Sequence, residues 1–230
     1  MALQFIQGHG EFNRTMEKAI LATLSYSDIF DYPLTKEEIW KWLIPGGNLK
    51  SQISKLKIAA QNSKLVQEKN GFYILKGREK LVELRREREE WSRKKLKLAE
   101  KVAGILRLIP WVKLIGVTGA LAMNNSKEDD DIDLLIITAK NRLWLTRLFS
   151  VLLVELTGKR RRPGDKVIKD KICLNMLLDE SHLSIPEKER DLFSAHEVCQ
   201  MKPLWEKERT YQQFLKANQW SQEFLPNWKP

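Results

Sequence analysis

Two aspartates that share one face of a predicted strand are the residues best suited to chemistry. Asp131 and Asp133 introduce the apolar segment Leu134 to Ile137, and alternate side chains of a strand point to the same side. Carboxylate oxygens are ligands that Mg²⁺ prefers, and a magnesium ion can carry the phosphates of a nucleoside triphosphate. The pattern therefore predicts a magnesium site formed by Asp131 and Asp133.

A glycine turn precedes this pair. The apolar segment Val112 to Val117 leads into Thr118, Gly119 and Ala120, and a polar loop then connects the turn to the aspartates. An apolar strand, a glycine, a loop and Asp-x-Asp in a second strand together resemble the nucleotidyltransferase superfamily related to DNA polymerase beta. The minimal members of bacteria and archaea are the most similar in appearance.

The resemblance implies a reaction and a role for each of these residues. Asp131 and Asp133 match the metal-binding aspartates of the superfamily, and Gly119 matches its glycine, which lets phosphates approach the backbone closely. Members usually carry a serine after the glycine, where this chain has Ala120. The implied reaction is Mg²⁺-dependent transfer of a nucleoside monophosphate from a nucleoside triphosphate, above all ATP, to an acceptor hydroxyl. Thr118, Gly119 and Ala120 are the predicted nucleotide-binding residues of the turn.

A third strand is predicted from Lys171 to Leu178. The superfamily usually places a third carboxylate on this strand, where it deprotonates the attacking hydroxyl. Cys173 and Asn175 share one face of the strand, and Asn175 is the polar residue expected at that position. Its amide oxygen can bind a cation but cannot accept a proton as a carboxylate does. Asn175 is therefore the predicted third catalytic residue, with Asp179 and Glu180 at the strand end as alternatives.

The densest basic run of the chain extends from Lys159 to Gly164. Its charge suits a triphosphate or a nucleic-acid backbone, and the alternative is an exposed loop without a ligand. Lys159 and Arg160 are predicted to bind the nucleotide. The formal net charge of +10 also favours polyanionic partners, although much of it can be ordinary solvated surface.

Residues 14–77 are predicted to form a winged helix-turn-helix domain. Thr35 and Glu38 have capping-box spacing at the start of a second helix, and a third helix is predicted from Leu49 to about Gln61. Asn70 and Gly71 between two short apolar segments indicate a hairpin. Three helices and a hairpin resemble this fold, whose third helix commonly enters the major groove of DNA. Nucleic-acid contact and docking to a protein partner are both compatible with the sequence.

The remaining chain is predicted to contain a connecting helix, 78–109, and a nucleotidyltransferase-like domain, 110–230, with a small mixed β-sheet. The fold class is α/β, of the α+β type. Dense charges of both signs predict a solvated face on the connecting helix. The last part of the chain, from Ser181 onward, is predicted as helical. A helix from Asn141 to about Leu156 is expected to bury Leu145, Leu148, Phe149, Leu152 and Leu153.

Several features narrow the class of protein. No apolar run of about 20 residues predicts a membrane span, and the N-terminal segment lacks a signal-peptide pattern. Cys173 and Cys199 are expected to be reduced thiols, and the scattered histidines predict no zinc site. These features favour a cytoplasmic protein without membrane contact.

Two alternatives to a general nucleotidyltransferase stay open. The absent third carboxylate and Ala120 also fit a catalytically degenerate regulator that senses nucleotide and binds DNA, whereas Asp131 and Asp133 favour the enzyme. A weaker alternative, from family analogy alone, is an antitoxin-type nucleotidyltransferase that modifies a partner protein. The sequence does not identify the acceptor, which could be RNA, a protein or a small molecule.

Overall fold

A computed structural model describes residues 16–44 and 63–230 of the chain. Their helices and strands divide between two units, Met1–Arg86 with Trp220–Pro230, and Glu87–Gln219. The second unit thus begins inside the predicted connecting helix, and the C-terminal residues group with the first unit. The functional assignment of the domains 14–77, 78–109 and 110–230 stays a prediction.

The first unit contains a small antiparallel sheet. Helix α1 covers residues 16–28, and the other elements are β1 (Leu34–Thr35), α2 (Lys36–Lys41), β2 (Val66–Lys69) and β3 (Phe72–Leu75). The strand order in the sheet is β1-β3-β2.

Two local sequence signals in this unit produce the predicted structure. The Thr35 hydroxyl accepts a hydrogen bond from the Glu38 N–H at 3.2 Å, and the Glu38 carboxylate accepts one from the Thr35 N–H at 2.9 Å. This capping box begins α2. Asn70 and Gly71 form the two-residue turn between β2 and β3, with φ values of 53° and 83°. The predicted helix Leu49 to Gln61 lies outside the described residues, so the winged helix-turn-helix fold stays a prediction.

The second unit is built on a four-stranded mixed sheet with the order β6-β5-β4-β7. β5 and β6 are parallel, whereas β4 pairs antiparallel with both β5 and β7. The predicted fold class, α/β with a small mixed sheet, is confirmed. The strands are β4 (Val112–Val117), β5 (Ile132–Thr138), β6 (Ile172–Asp179) and β7 (Lys202–Glu206).

Further helices precede and connect these strands. Among the described residues, none of the helices combines the length and apolar character that a membrane span requires. These helices are α3 (Leu81–Leu106), α4 (Gly119–Ala122), α5 (Leu143–Leu156), α6 (Leu192–Gln200), α7 (Thr210–Ala217) and α8 (Ser221–Phe224). The last helix, α8, groups with the first unit.

One face of the sheet forms the core of the second unit. Ile132, Leu134 and Ile136 of β5 are fully buried in one cluster with Leu106 of α3. Because side chains alternate along a strand, Asp133 points to the other face. Packing of the apolar residues of β5 therefore fixes the direction of the carboxylate.

Strand β7 corrects the prediction that everything after Ser181 is helical. It lies between α6 and α7 and pairs with β4 at the edge of the sheet. Pro203 lies within it, and an edge strand tolerates proline because one side of its backbone has no strand partner. The strand depends on pairing with a distant segment, which a local pattern does not indicate.

Helix α5 buries a different face from the one predicted. Its buried residues are Thr146, Ser150 and Val154, and the Thr146 hydroxyl is 2.7 Å from the hydroxyl of Thr138 in β5. Small side chains let α5 approach the sheet closely. Most of the larger apolar side chains of α5 therefore lie on its exposed side. Leu153 of the predicted set packs against the core. The others are 40–52 % exposed: Leu145, Leu148, Phe149 and Leu152.

Candidate functional site

The structure brings three side chains together at the start of two parallel strands. Asp131 lies one residue before β5, Asp133 lies within it, and Cys173 of β6 is the register partner of Asp133. One side-chain atom from each, a carboxylate oxygen or the sulfur, lies within 4.8 Å of the other two. The predicted aspartate pair is thus a spatial cluster, to which the neighbouring strand contributes a thiol.

Burial and repulsion both disfavour further negative charge in this cluster. The pKa of Asp133 is raised, mainly by burial and to a smaller extent by the Asp131 carboxylate. A hydrogen bond donated by the Cys173 thiol acts in the opposite direction. Burial and the neighbouring carboxylates raise the pKa of Cys173 to about 11. The thiol therefore stays protonated at neutral pH. A cation bound between the carboxylates would relieve their repulsion.

Two of the three side chains of the cluster suit a hard divalent cation. Asp131 and Asp133 offer carboxylate oxygens, and Mg²⁺ is commonly bound by one or two carboxylates together with substrate phosphates. Cys173 does not fit as a third ligand, because Mg²⁺ prefers oxygen and the thiol keeps its proton. In the described part of the chain, the cluster includes no third carboxylate. The use of Mg²⁺ stays a prediction, and the aspartates are the residues that would hold it.

An arginine of the basic loop already contacts the aspartate pair. The Arg161 guanidinium lies 2.5 Å from the Asp131 carboxylate and 3.8 Å from the Cys173 sulfur. Backbone hydrogen bonds hold the loop beside β6: the Arg161 N–H donates to the Ile172 carbonyl at 3.0 Å, and the Ile172 N–H donates to the Lys159 carbonyl at 2.6 Å. Asp131 therefore has a positive partner within the chain.

The Gly119 turn lies on the other side of β5, after β4. Gly119 has a φ of +61°, and a Cβ atom there would be 3.4 Å from Asp133 Oδ2. Glycine suits both the left-handed backbone and this close approach. The Gly119 N–H donates a hydrogen bond to the carboxylate of Glu197 in α6, whose pKa is raised by burial. The backbone donor that a phosphate would use is therefore occupied by a carboxylate of the same chain.

Thr118 and Ala120 flank this glycine. The Thr118 N–H donates to the Asp133 carbonyl at 3.1 Å, and its buried hydroxyl has no hydrogen-bond partner within the described residues. Ala120 is exposed and has no side-chain donor. The predicted roles of Thr118, Gly119 and Ala120 in nucleotide binding stay predictions.

Asn175 lies at an irregularity of the strand pair. β5 and β6 change register at Asn175, which has no partner residue across the strand pair, and its side chain is exposed. The spacing argument that placed Cys173 and Asn175 on one face assumes a regular strand. Cys173 is the residue of β6 that lies beside the aspartates, and a catalytic role for Asn175 stays an untested prediction.

Lys159 and Arg160 begin the basic loop. Lys159 is exposed, whereas the Arg160 guanidinium donates to the Glu155 carboxylate at 3.1 Å. Arg160 also lines a cleft of about 280 Å³ formed by α5, the basic loop and β6. We call it the arginine cleft. Its lining includes Arg147, Arg160, Arg161 and Arg162, with Val151 and Leu174 as apolar neighbours.

A buried lysine of α3 positions the segments that lead into the site. Lys95 is 2 % exposed, and its Nζ atom donates to the carbonyls of Glu128 and Asp130 at 3.0 and 2.7 Å. It also contacts the Asp170 carboxylate at 2.8 Å. The lysine thus joins the loop before Asp131 to the loop before β6. Lys95 is therefore an exception to the predicted solvated face of this helix, whereas the neighbouring Arg93 and Lys94 are exposed.

Lys95, Arg161 and Glu197 are therefore contributors that the sequence-based prediction of the site did not include. Arg161 belongs to the basic run, so its charge was visible in the sequence, but its contact with Asp131 was not. Lys95 and Glu197 lie in helices with ordinary charge patterns, and only the packing of those helices reveals their contacts.

Similarity to known proteins is slight. No protein-family model matches the chain, and no curated protein matches it. Two similar solved structures are a mutant of the toxin-antitoxin MntA-HpeT and a toxin-antitoxin with AMP-PNP. Each is 17 % identical at a TM-score of 0.33 over 54 % of this chain, covering 86 % and 90 % of the respective chains. That TM-score is too low to equate two folds, so we base the function on the geometry of the site.

Proposed function

We propose that the chain is a Mg²⁺-dependent nucleotidyltransferase that transfers a nucleoside monophosphate from a nucleoside triphosphate, above all ATP, to an acceptor hydroxyl. One observation carries the proposal: the carboxylates of Asp131 and Asp133 converge at the start of a buried strand, beside a glycine turn. Burial and like charge already raise the pKa of Asp133. Such a pair is typical of functional sites, and a divalent cation would compensate its charge.

The chain's own residues would act mainly by position and charge. Mg²⁺ held by Asp131 and Asp133 would supply charge neutralisation at the phosphates. The acceptor oxygen forms a bond to the α-phosphorus, the bond from that phosphorus to the bridging oxygen breaks, and pyrophosphate leaves with the electron pair. The hydroxyl proton passes to solvent water.

A second candidate is a regulator that binds nucleotide without transferring it. Two observations favour it: Arg161 already neutralises Asp131, and within the described residues the side chain that joins the two aspartates is a thiol and not a third carboxylate. This candidate keeps the nucleotide site but assigns it a sensing role. DNA binding by the N-terminal unit would complete such a regulator.

Transfer of radiolabel distinguishes the two functions. The chain is incubated with Mg²⁺, a cell extract and each nucleoside triphosphate labelled at the α-phosphate. We expect label to enter RNA, protein or a small molecule with the wild-type chain. The variant Asp131→Asn/Asp133→Asn should lose transfer by at least about 100-fold, since such carboxylates stabilise charge in the transition state.

The matched control is Asp129→Asn, which removes one negative charge from an exposed residue close in sequence. It should transfer label at the wild-type rate. If wild type and the double variant transfer equally, the enzyme is excluded. Nucleotide binding without any transfer by the wild-type chain would favour the regulator.

A further inference from the structure

The arginine cleft is a positively charged concave surface next to the aspartate pair. Four arginine residues line it, and it shares Arg161 and Cys173 with the aspartate cluster. At about 280 Å³ it is close to the size range of small-molecule sites and is large enough for a chain of phosphates. Its position and charge make it a candidate anion site.

The charges within the cleft are incompletely balanced. Arg160 and Arg162 both bind the single carboxylate of Glu155, and Arg161 binds Asp131. Within residues 16–44 and 63–230, no carboxylate forms an ion pair with Arg147 of α5, which is exposed. Asp165, the acid at the cleft, is engaged by Lys171 at 2.8 Å. The cleft therefore has spare positive charge.

The Gly119 turn is a poorer site for phosphates. Glu197 accepts the Gly119 N–H, so a phosphate would have to displace a carboxylate that also repels it. Ala120 provides no hydroxyl, and α4 has only four residues, too few to present an ordered set of N–H donors. Of the two sides of the aspartate pair, the arginine side suits an anion better.

We propose that the arginine cleft binds the phosphate chain of the donor nucleotide, with Arg147 as an anchor and Arg161 exchanging Asp131 for a phosphate oxygen. The exchange frees the Asp131 carboxylate at the moment when the nucleotide arrives. The inference rests on the proposed function, which requires a triphosphate. It differs from the superfamily pattern, in which the glycine turn holds the phosphates.

Binding of inorganic tripolyphosphate without metal tests the cleft separately from catalysis. Affinity is measured by isothermal titration calorimetry with EDTA at fixed ionic strength. Arg147→Gln should weaken binding by about 10-fold, the value of one charged hydrogen bond. Arg107→Gln, which removes the same charge from an exposed residue outside the cleft, should leave binding within about 2-fold. Circular dichroism confirms that both variants fold.

The exchange of Asp131 for phosphate by Arg161 predicts a variant that binds tripolyphosphate more tightly. Asp131→Asn removes the internal partner of Arg161 and should tighten tripolyphosphate binding about 3-fold or more, the scale of an exposed ion pair. Asp129→Asn should change it less. Glu197→Gln should also have little effect if the phosphates lie in the cleft, but should tighten binding strongly if they lie on the Gly119 N–H.

Each outcome decides the inference. Equal binding by wild type and Arg147→Gln, or no binding by wild type, overturns it, as does a larger gain in Glu197→Gln than in Asp131→Asn. ATP and a single-stranded RNA oligonucleotide without a terminal triphosphate are tested in parallel. Binding of the RNA alone through Arg147 would overturn the donor assignment and give the cleft to a nucleic-acid backbone. If the wild-type chain transfers no nucleotide but the variants change tripolyphosphate affinity as expected, the proposed function is refuted and the cleft remains a phosphate site.

Discussion

The two sides of the aspartate pair are held in place by different forces. On the side that we call the glycine side, the turn at Gly119 lies close to Asp133, and α6 supplies the buried His196 and the half-buried Glu197, which accepts the Gly119 N–H. On the side that we call the arginine side, exposed side chains of the basic loop form ion pairs, such as Arg161 with Asp131. Buried packing has a large effect on stability, whereas exposed ion pairs contribute at most about 1 kcal/mol.

The comparison teaches that the two sides suit different tasks. A buried turn keeps Asp133 in a fixed position but leaves little room for rearrangement. Long charged side chains at the surface can exchange partners at low cost, so Arg161 can respond to an arriving anion. Stability measurements should therefore respond to changes on the glycine side, and binding measurements to changes on the arginine side.

The largest expected effect is a pH-dependent loss of stability on the glycine side. Burial lowers the pKa of His196 to about 4, whereas in the unfolded chain it titrates near its ordinary value of about 6.5. The unfolded state binds more protons between these values, so stability falls as pH drops from about 6.5 to about 4. The loss reaches about 3 kcal/mol.

Urea unfolding of wild type and His196→Gln at pH 7, 6 and 5 measures this contribution. The wild-type free energy of unfolding should fall relative to that of the variant as pH decreases. His182→Gln, at an exposed histidine, should follow the wild type. A constant difference between wild type and His196→Gln across the range contradicts the prediction.

A smaller effect on stability is expected from substituting one positive-φ glycine on each side, Gly119 and Gly164. Gly119→Ala should destabilise the fold by about 1–2 kcal/mol, because alanine disfavours a φ of +61° and its Cβ would contact Asp133 Oδ2 at 3.4 Å. Gly164→Ala in the basic loop, at a φ of +84° with no atom within 4 Å of the added Cβ, should cost less because an exposed loop can relax.

Thermal or urea unfolding of the two alanine variants compares the sides directly. Asparagine tolerates the left-handed region, so Gly164→Asn should recover most of the loss at that position. A greater loss at Gly164 than at Gly119 would contradict the view that the glycine side is the more rigid one.

The smallest effect on stability is expected from Arg161→Gln. Its side chain is 40 % exposed, so removing it should change the free energy of unfolding by less than about 1 kcal/mol. Mn²⁺ affinity of the ligand-free chain, measured by electron paramagnetic resonance, should instead increase about 3-fold, because Asp131 loses its competing cation. Arg107→Gln is the charge-matched control, and an unchanged Mn²⁺ affinity in Arg161→Gln would show that Asp131 is not masked.

The sequence by itself determined the features that depend on neighbouring residues. Thr35 and Glu38 specify a capping box, Asn70 and Gly71 specify a two-residue turn, and the spacing of Asp131 and Asp133 places two carboxylates on one face of a strand. These interactions join residues at most three positions apart. The relevant energies are local, so a local pattern is enough to predict them.

Only the tertiary structure decided which distant residues complete the site. The register of β5 against β6 placed Cys173 beside Asp133, and an irregularity in that register left Asn175 without a partner residue in β5. Packing of separate helices brought in Lys95 and Glu197, and it turned the small residues of α5 inward instead of its leucines. Register and helix packing depend on many contacts between distant segments. The pattern of residues within one segment is therefore not enough to predict them.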